Sequence, residues 1–274
     1  MKKVLLAFDG EHFSEGVFEF VRQMHLHQPV FAIGMFLPSV DYGELLYSFG
    51  GVISGPLYIS EAVPADEAVL DKNIAHFKKL CEESGIGYKI HRDFNRHVVT
   101  QVKEETRFAD MLVVSGESFY ENLGVETQDE YIANVLHKTE CPVVLVPEKY
   151  VQPESVILAY DGSEQSVYAM KQFTYLLPEF NSVKALLASF GDSGKEIPDR
   201  QNIEELLLRH FEHLTILKVR LAAKKDIEQW IVGNGNTMLV AGAYGRSLFS
   251  ETFRNSFITA GIKDHKVPIF VAHR

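Results

Sequence analysis

The chain is poor in cysteine, in tryptophan and in long apolar runs. Its 274 residues hold 2 cysteines, Cys81 and Cys141, and 1 tryptophan, Trp230. Two thiols give no disulfide framework, and neither sits in a Cys-x-x-Cys pair, which suits a reducing compartment. No stretch reaches the roughly 18 uninterrupted apolar residues of a membrane helix. The apolar run at 4–8 meets charge at Asp9 and is too short for a signal peptide. These absences predict a cytoplasmic protein with no membrane span. Basic residues are also in deficit, 27 Lys and Arg against 37 Asp and Glu, a net charge of −10. That balance disfavours nonspecific contact with nucleic acid or an anionic membrane. The deficit belongs to one half only. Residues 1–150 carry 13 basic and 23 acidic side chains, whereas residues 151–274 carry 14 of each.

What the chain does have is a repeat. KKVLLAFDG at 2–10 returns as VILAYDG at 156–162, MLVVSG at 111–116 as MLVAG at 238–242, and PVVLVP at 142–147 as PIFVA at 268–272. The offsets are 152, 127 and 126, and the order is kept, so one insertion of about 25 residues in the first copy accounts for the change. The insertion is the stretch 37–64, rich in Gly, Pro and aromatic residues, which reads as a packed loop, a lid or a pairing surface. A polar, proline-bearing boundary near 149–154 gives two domains, 1–150 and 151–274.

Each copy alternates apolar strand-like runs with amphipathic helical runs. Residues 16–24, for example, place Val17, Phe20, Val21 and Met24 on one helix face. Strands apolar on both faces, alternating with helices, predict an α/β protein: two doubly wound, five-stranded parallel-sheet domains packed as a pseudo-dimer. The expected strand order is 3-2-1-4-5, and the copies are expected to meet near 142–146 and 268–271. In that order strands 1 and 4 are neighbours at the point where the winding reverses, where such sheets form a crevice. Asp161 ends strand 1 of the second copy and Gly242 ends its strand 4.

The stretch TMLVAGAYGRSLFSETFRNS at 237–256 carries the most chemistry. An apolar strand runs into Gly242-x2-Gly245, and a helix-like segment begins near Ser256. Glycines allow close backbone approach, and free N–H groups at a helix start favour phosphate. Arg246 and Arg254 can pair with phosphate or remain solvated. Asp161 either caps the following helix or holds a ligand. His210 and His213 fall i, i+3 on one predicted helix, but no third ligand has matching spacing for a metal. No nucleophile–base pair or acid pair stands out, so the residues give no mechanism of catalysis.

On VILAYDGS, GAYGRSLFSETFRNS and the closing VPIFV, the chain resembles the universal stress protein family in its tandem two-domain form, over nearly its whole length. The resemblance implies an adenine nucleotide, ATP or AMP, bound by Gly-x2-Gly-x9-Gly-Ser/Thr after strand 4 and by the strand 1 aspartate. Here Asp161, Gly242, Gly245 and Ser256 match, with Arg246 beside the turn. Asn255 stands where the third glycine belongs and puts a side chain where phosphate approaches. The first copy departs further: it keeps Asp9 and Gly116, but Phe119 replaces the second glycine. Five carboxylates (Glu117, Glu121, Glu126, Asp129, Glu130) follow with no Lys or Arg among them. The first copy is therefore read as a degenerate domain that has lost nucleotide binding. Two functional readings result. One is a stress-response regulator binding an adenine nucleotide in its second domain, a slow ATPase at most and able to form homodimers. The other is a scaffold without nucleotide, acting through its paired surfaces.

Overall fold

A computed structural model describes residues 1–9, 12–37, 67–92, 98–115, 139–190, 196–219, 230–231, 233–242 and 267–272. The chain divides into two compact units, Met1–Cys141 and Pro142–Arg274.

In the first unit the strands are β1 (Lys2–Asp9), β2 (Val30–Leu37), β3 (Gly87–His91) and β4 (Met111–Ser115). They lie in the order β3-β2-β1-β4, and every pairing is parallel. Helices α1 (Glu15–His27), α2 (Glu67–Ser84) and α3 (Val98–Arg107) alternate with them. The start of α1 is set by Ser14, whose Oγ accepts the Val17 N–H at 3.3 Å, and Glu15 complements the helix dipole. Its buried face carries the four residues expected from the spacing, Val17, Phe20, Val21 and Met24, together with Gly16 and Phe18. Of the stretch 37–64, Leu37 completes β2; the remainder lies outside the described residues.

The second unit holds the full 3-2-1-4-5 order. Its strands are β5 (Val143–Val146), β6 (Ser155–Tyr160), β7 (Lys184–Phe190), β8 (His213–Val219), β9 (Thr237–Gly242) and β10 (Ile269–Ala272). From one side the order is β8-β7-β6-β9-β10 with all neighbours parallel, and β5 then pairs antiparallel with β10, Val144 opposite Phe270. That pair joins the two stretches, 142–146 and 268–271, at which the copies were expected to meet. The central parallel strands β6, β9 and β10 are buried along nearly their whole length, as the continuous apolar runs require, whereas the edge strand β8 alternates exposed and half-buried residues up to a buried Val219. Helices α4 (Glu164–Leu176) and α5 (Arg200–Leu208) follow β6 and β7.

Helix α5 differs from the sequence expectation of 203–213. It starts three residues earlier, behind Asp199, and ends five residues earlier. His213 consequently opens β8 rather than sharing a helix with His210, whose ring instead meets Tyr175 at 5.6 Å. Strand pairing of Lys184 with His213 wins over helix continuation there. Among the described residues no helix is long and apolar enough to cross a membrane, and no cluster of His, Cys, Asp or Glu could hold a metal.

Candidate functional site

The candidate site lies where β6 and β9 end. The two strands are parallel neighbours with Leu158 level with Val240, so continuing the register brings Tyr160 beside Gly242. Asp161 is the next residue after β6. Its Oδ1 accepts the Ser163 N–H at 2.9 Å, closing a short turn. Ser163 then caps α4: its Oγ accepts the Ser166 N–H at 3.2 Å, and the Ser166 hydroxyl donates back to the Ser163 carbonyl at 2.8 Å. The strand–turn–helix junction thus takes only two residues between Tyr160 and the cap.

Both glycines described at this junction are demanded by packing. Gly162 has φ of +80°, and a Cβ there would lie 2.6 Å from Pro198 Cβ. A Cβ on Gly242 would lie 2.5 Å from the Gln165 carbonyl carbon and 2.7 Å from the Ser166 nitrogen. The end of β9 therefore presses on the first turn of α4. Of the six residues singled out by sequence, the structure brings Asp161 and Gly242 to one end of adjacent strands. Gly245, Arg246, Asn255 and Ser256 lie outside the described residues.

Beside this junction a cleft of about 610 Å³ runs between α4 and α5. Helix α4 presents Glu164, Val167, Tyr168 and Lys171 to it, the i, i+3, i+4, i+7 stripe of one helix face. Asn202, Ile203 and Leu206 line it from α5, with Asp199 at the cap position. The end nearest the sheet is pinned, because the Tyr160 hydroxyl donates to the Pro198 carbonyl at 3.0 Å. Burial first, then the nearby Asp199 and Asp161 carboxylates, hold the Tyr160 phenol above its ordinary pKa. Asp199 has φ of +43° and ψ of +35°, the one left-handed non-glycine backbone among the described residues. Its side chain makes no capping bond.

Sequence reasoning missed this cleft. Each wall carries a helical stripe, but a stripe with charged ends reads as a solvated face until a second helix is placed opposite. The only local signal was Pro198-Asp199 ahead of a helical run, which is a helix-start pattern.

The corresponding place in the first unit is built differently. Phe8, the counterpart of Tyr160 in the repeat, stacks on Phe13 at 4.6 Å and on Phe36 at 5.2 Å. Phe77 of α2 meets Phe8 at 5.8 Å and Phe18 of α1 at 6.3 Å. His76 Nε2 lies 2.7 Å from Glu15 Oε1, tying α2 to α1. His25, near the end of α1, accepts the Val30 N–H on Nδ1 at 3.1 Å. Cys81 and Cys141 are buried, and burial pushes both thiols up to about 12, which leaves them unreactive at neutral pH.

Strand order, winding and the crevice at the strand ends define a tandem doubly wound α/β protein. No protein-family model matches the chain, and no match is found among curated proteins. Solved structures do match over the full length. A universal stress protein from Archaeoglobus fulgidus is 15% identical, with 100% of this chain and 96% of that one covered and a TM-score of 0.65. A functionally unknown protein from Pseudomonas aeruginosa is 11% identical, with 100% and 92% covered and a TM-score of 0.53. The cytoplasmic domain of a prokaryotic cation chloride cotransporter is 10% identical, with 98% and 94% covered and a TM-score of 0.52. The chain has the fold of the universal stress protein, repeated along its length.

Proposed function

We propose that the protein is a cytoplasmic stress-response regulator of the universal stress type, which binds an adenine nucleotide in its second unit. The observation that carries this reading is the arrival of Asp161 and Gly242 at one end of adjacent parallel strands, where the winding reverses. A carboxylate beside a close-approach glycine suits a ligand with hydroxyl or amine donors at one end and phosphates at the other. The even charge of 151–274, against −10 for 1–150, favours an anionic ligand in the second unit. Gly245, Arg246, Asn255 and Ser256 would complete the phosphate side, and a homodimer formed through the aromatic residues of the 37–64 insertion belongs to the same proposal.

A second reading has its own support. Asp161 already holds the Ser163 N–H, and Gly242 already admits the α4 backbone, so both residues have structural work that needs no ligand. This favours a scaffold acting through its surfaces. Equilibrium titration of the purified protein with ATP, ADP and AMP separates the two. Saturable binding of at least one nucleotide at micromolar concentration is expected. No heat and no chemical-shift change up to millimolar nucleotide would leave only the scaffold.

A further inference from the structure

The α4–α5 cleft is separate in its residues from the proposed nucleotide contacts, and its charges are arranged in a line. Glu164 and Asp199 stand at one end, at the starts of the two helices. Lys171 stands seven residues along α4 from Glu164, two helical turns or about 10 Å away on the same face. All three side chains are exposed, and none forms an ion pair with another described residue. Between the ends lie the apolar Val167 and Ile203, the Tyr168 ring, and the Asn202 amide, which both donates and accepts hydrogen bonds.

We propose that this cleft binds a short zwitterionic peptide of about three residues. Its N-terminal ammonium would sit at Glu164 and Asp199, and its C-terminal carboxylate at Lys171. An extended chain rises about 3.3–3.6 Å per residue, so three residues match the separation of the charged ends. The apolar floor takes an aliphatic middle side chain, and Asn202 meets a backbone amide. A diamine would leave Lys171 facing a like charge, and a dicarboxylate would do the same at Glu164 and Asp199. Among the described residues the first unit offers no such place, because the Glu15–His76 contact and the Phe13, Phe18 and Phe77 rings link α1 to α2 there.

The test uses the full chain and three probes: Gly-Leu-Gly, its N-acetylated form and its C-terminal amide, each titrated calorimetrically. The free tripeptide is expected to bind, and each cap to weaken binding about tenfold, the scale of one charge-assisted contact. The double variant Glu164→Gln with Asp199→Asn should weaken the free peptide by a similar factor and leave the acetylated peptide unchanged. Lys171→Met should behave in the same way toward the amide. These side chains are exposed, and far-ultraviolet circular dichroism checks that the variants keep the fold. Absence of binding at millimolar peptide, equal binding of capped and uncapped forms, or indifference to both sets of substitutions overturns the proposal. Because none of the substituted residues is a proposed nucleotide contact, ATP titration of the same variants reports separately on the nucleotide reading.

Discussion

The two strand–helix junctions after β1 and β6 begin from nearly the same sequence, AFDG and AYDG, and end as different objects. In the first, five positions separate Asp9 from the cap Ser14, and the added length delivers Phe13 onto Phe8 at 4.6 Å. In the second, Asp161 and the cap Ser163 are two positions apart, and the aspartate side chain bridges them. The long junction feeds an aromatic cluster that locks α1 to α2. The short one leaves a polar turn and a cleft between α4 and α5. A repeat can therefore keep its sheet while one copy fills the crevice edge with rings and the other keeps it lined with polar groups. Loop length, more than the shared Asp-Gly, decides which.

The largest expected effect breaks the filled side. Phe77 is fully buried and also meets Phe36 at 5.9 Å and Tyr88 at 5.9 Å. Phe77→Ala removes the ring shared by all these contacts and should cost ~3–5 kcal/mol in urea unfolding. Ile203→Ala, on the cleft wall of the second unit, should cost nearer ~2 kcal/mol, because a wall beside a cleft relaxes more easily. Equal losses would erase the contrast between a locked and an unlocked helix pair. Gly242→Ala comes next. Its Cβ would meet α4 backbone at 2.5–2.7 Å, which no rotamer change relieves, and a loss of at least ~2 kcal/mol is expected. An unchanged urea midpoint would show that β9 does not press on α4. Substitution at Gly242 thus reports on packing before it reports on phosphate.

A reciprocal exchange sharpens the comparison. Tyr160→Phe deletes the hydrogen bond to the Pro198 carbonyl and should cost ~0.5–1.5 kcal/mol. Phe8→Tyr places a hydroxyl among rings and should cost ~1–3 kcal/mol. The phenol adds a pH signature. The Tyr160 pKa is raised in the folded state, mainly by burial, so its stabilisation is complete below the unfolded value near 10 and fades as pH rises above it. Tyr160→Phe should therefore lose less stability than wild type between neutral pH and the alkaline limb. Parallel alkaline profiles for the two proteins would deny Tyr160 that part.

How much of this was legible in the sequence depends on how local each cause is. The sheet was legible because parallel buried strands advertise themselves as continuous apolar runs: 269–272 was expected as a strand and is β10, and 238–241 sits inside β9. The neighbouring of Asp161 and Gly242 followed from strand order alone. The cleft did not, because Glu164 and Asp199 become one end of one feature only when two helices are set side by side. The helix end at Leu208 was missed for a similar reason, since pairing with β7 claims His213 for a strand. The role of Gly242 was half legible. Close approach was expected of phosphate, and the structure supplies a different close neighbour, the backbone of Gln165 and Ser166.

The smallest structural effect carries the most discriminating functional result. Asp161→Asn keeps an Oδ1 acceptor for the Ser163 N–H and removes only the charge, so stability should change by no more than about 0.5 kcal/mol. If the carboxylate also receives a donor from the nucleoside part of a ligand, the same change should weaken ATP and AMP together by ~1.5–3 kcal/mol, the value of a hydrogen bond to a charged group. The two nucleotides share that part, so their ratio of affinities should stay fixed. Under the same proposal Asn255→Gly would act on the other end, and the ratio should move in favour of ATP if a side chain in place of the third glycine crowds the terminal phosphates, which AMP lacks. Titrating ATP and AMP against wild type and both variants yields four changes in affinity. A joint loss with Asp161→Asn and a shifted ratio with Asn255→Gly would put the nucleoside and the phosphates at opposite ends of one site. Binding left unaltered by Asp161→Asn would confine the aspartate to closing the short turn, and the second junction would then differ from the first in architecture alone.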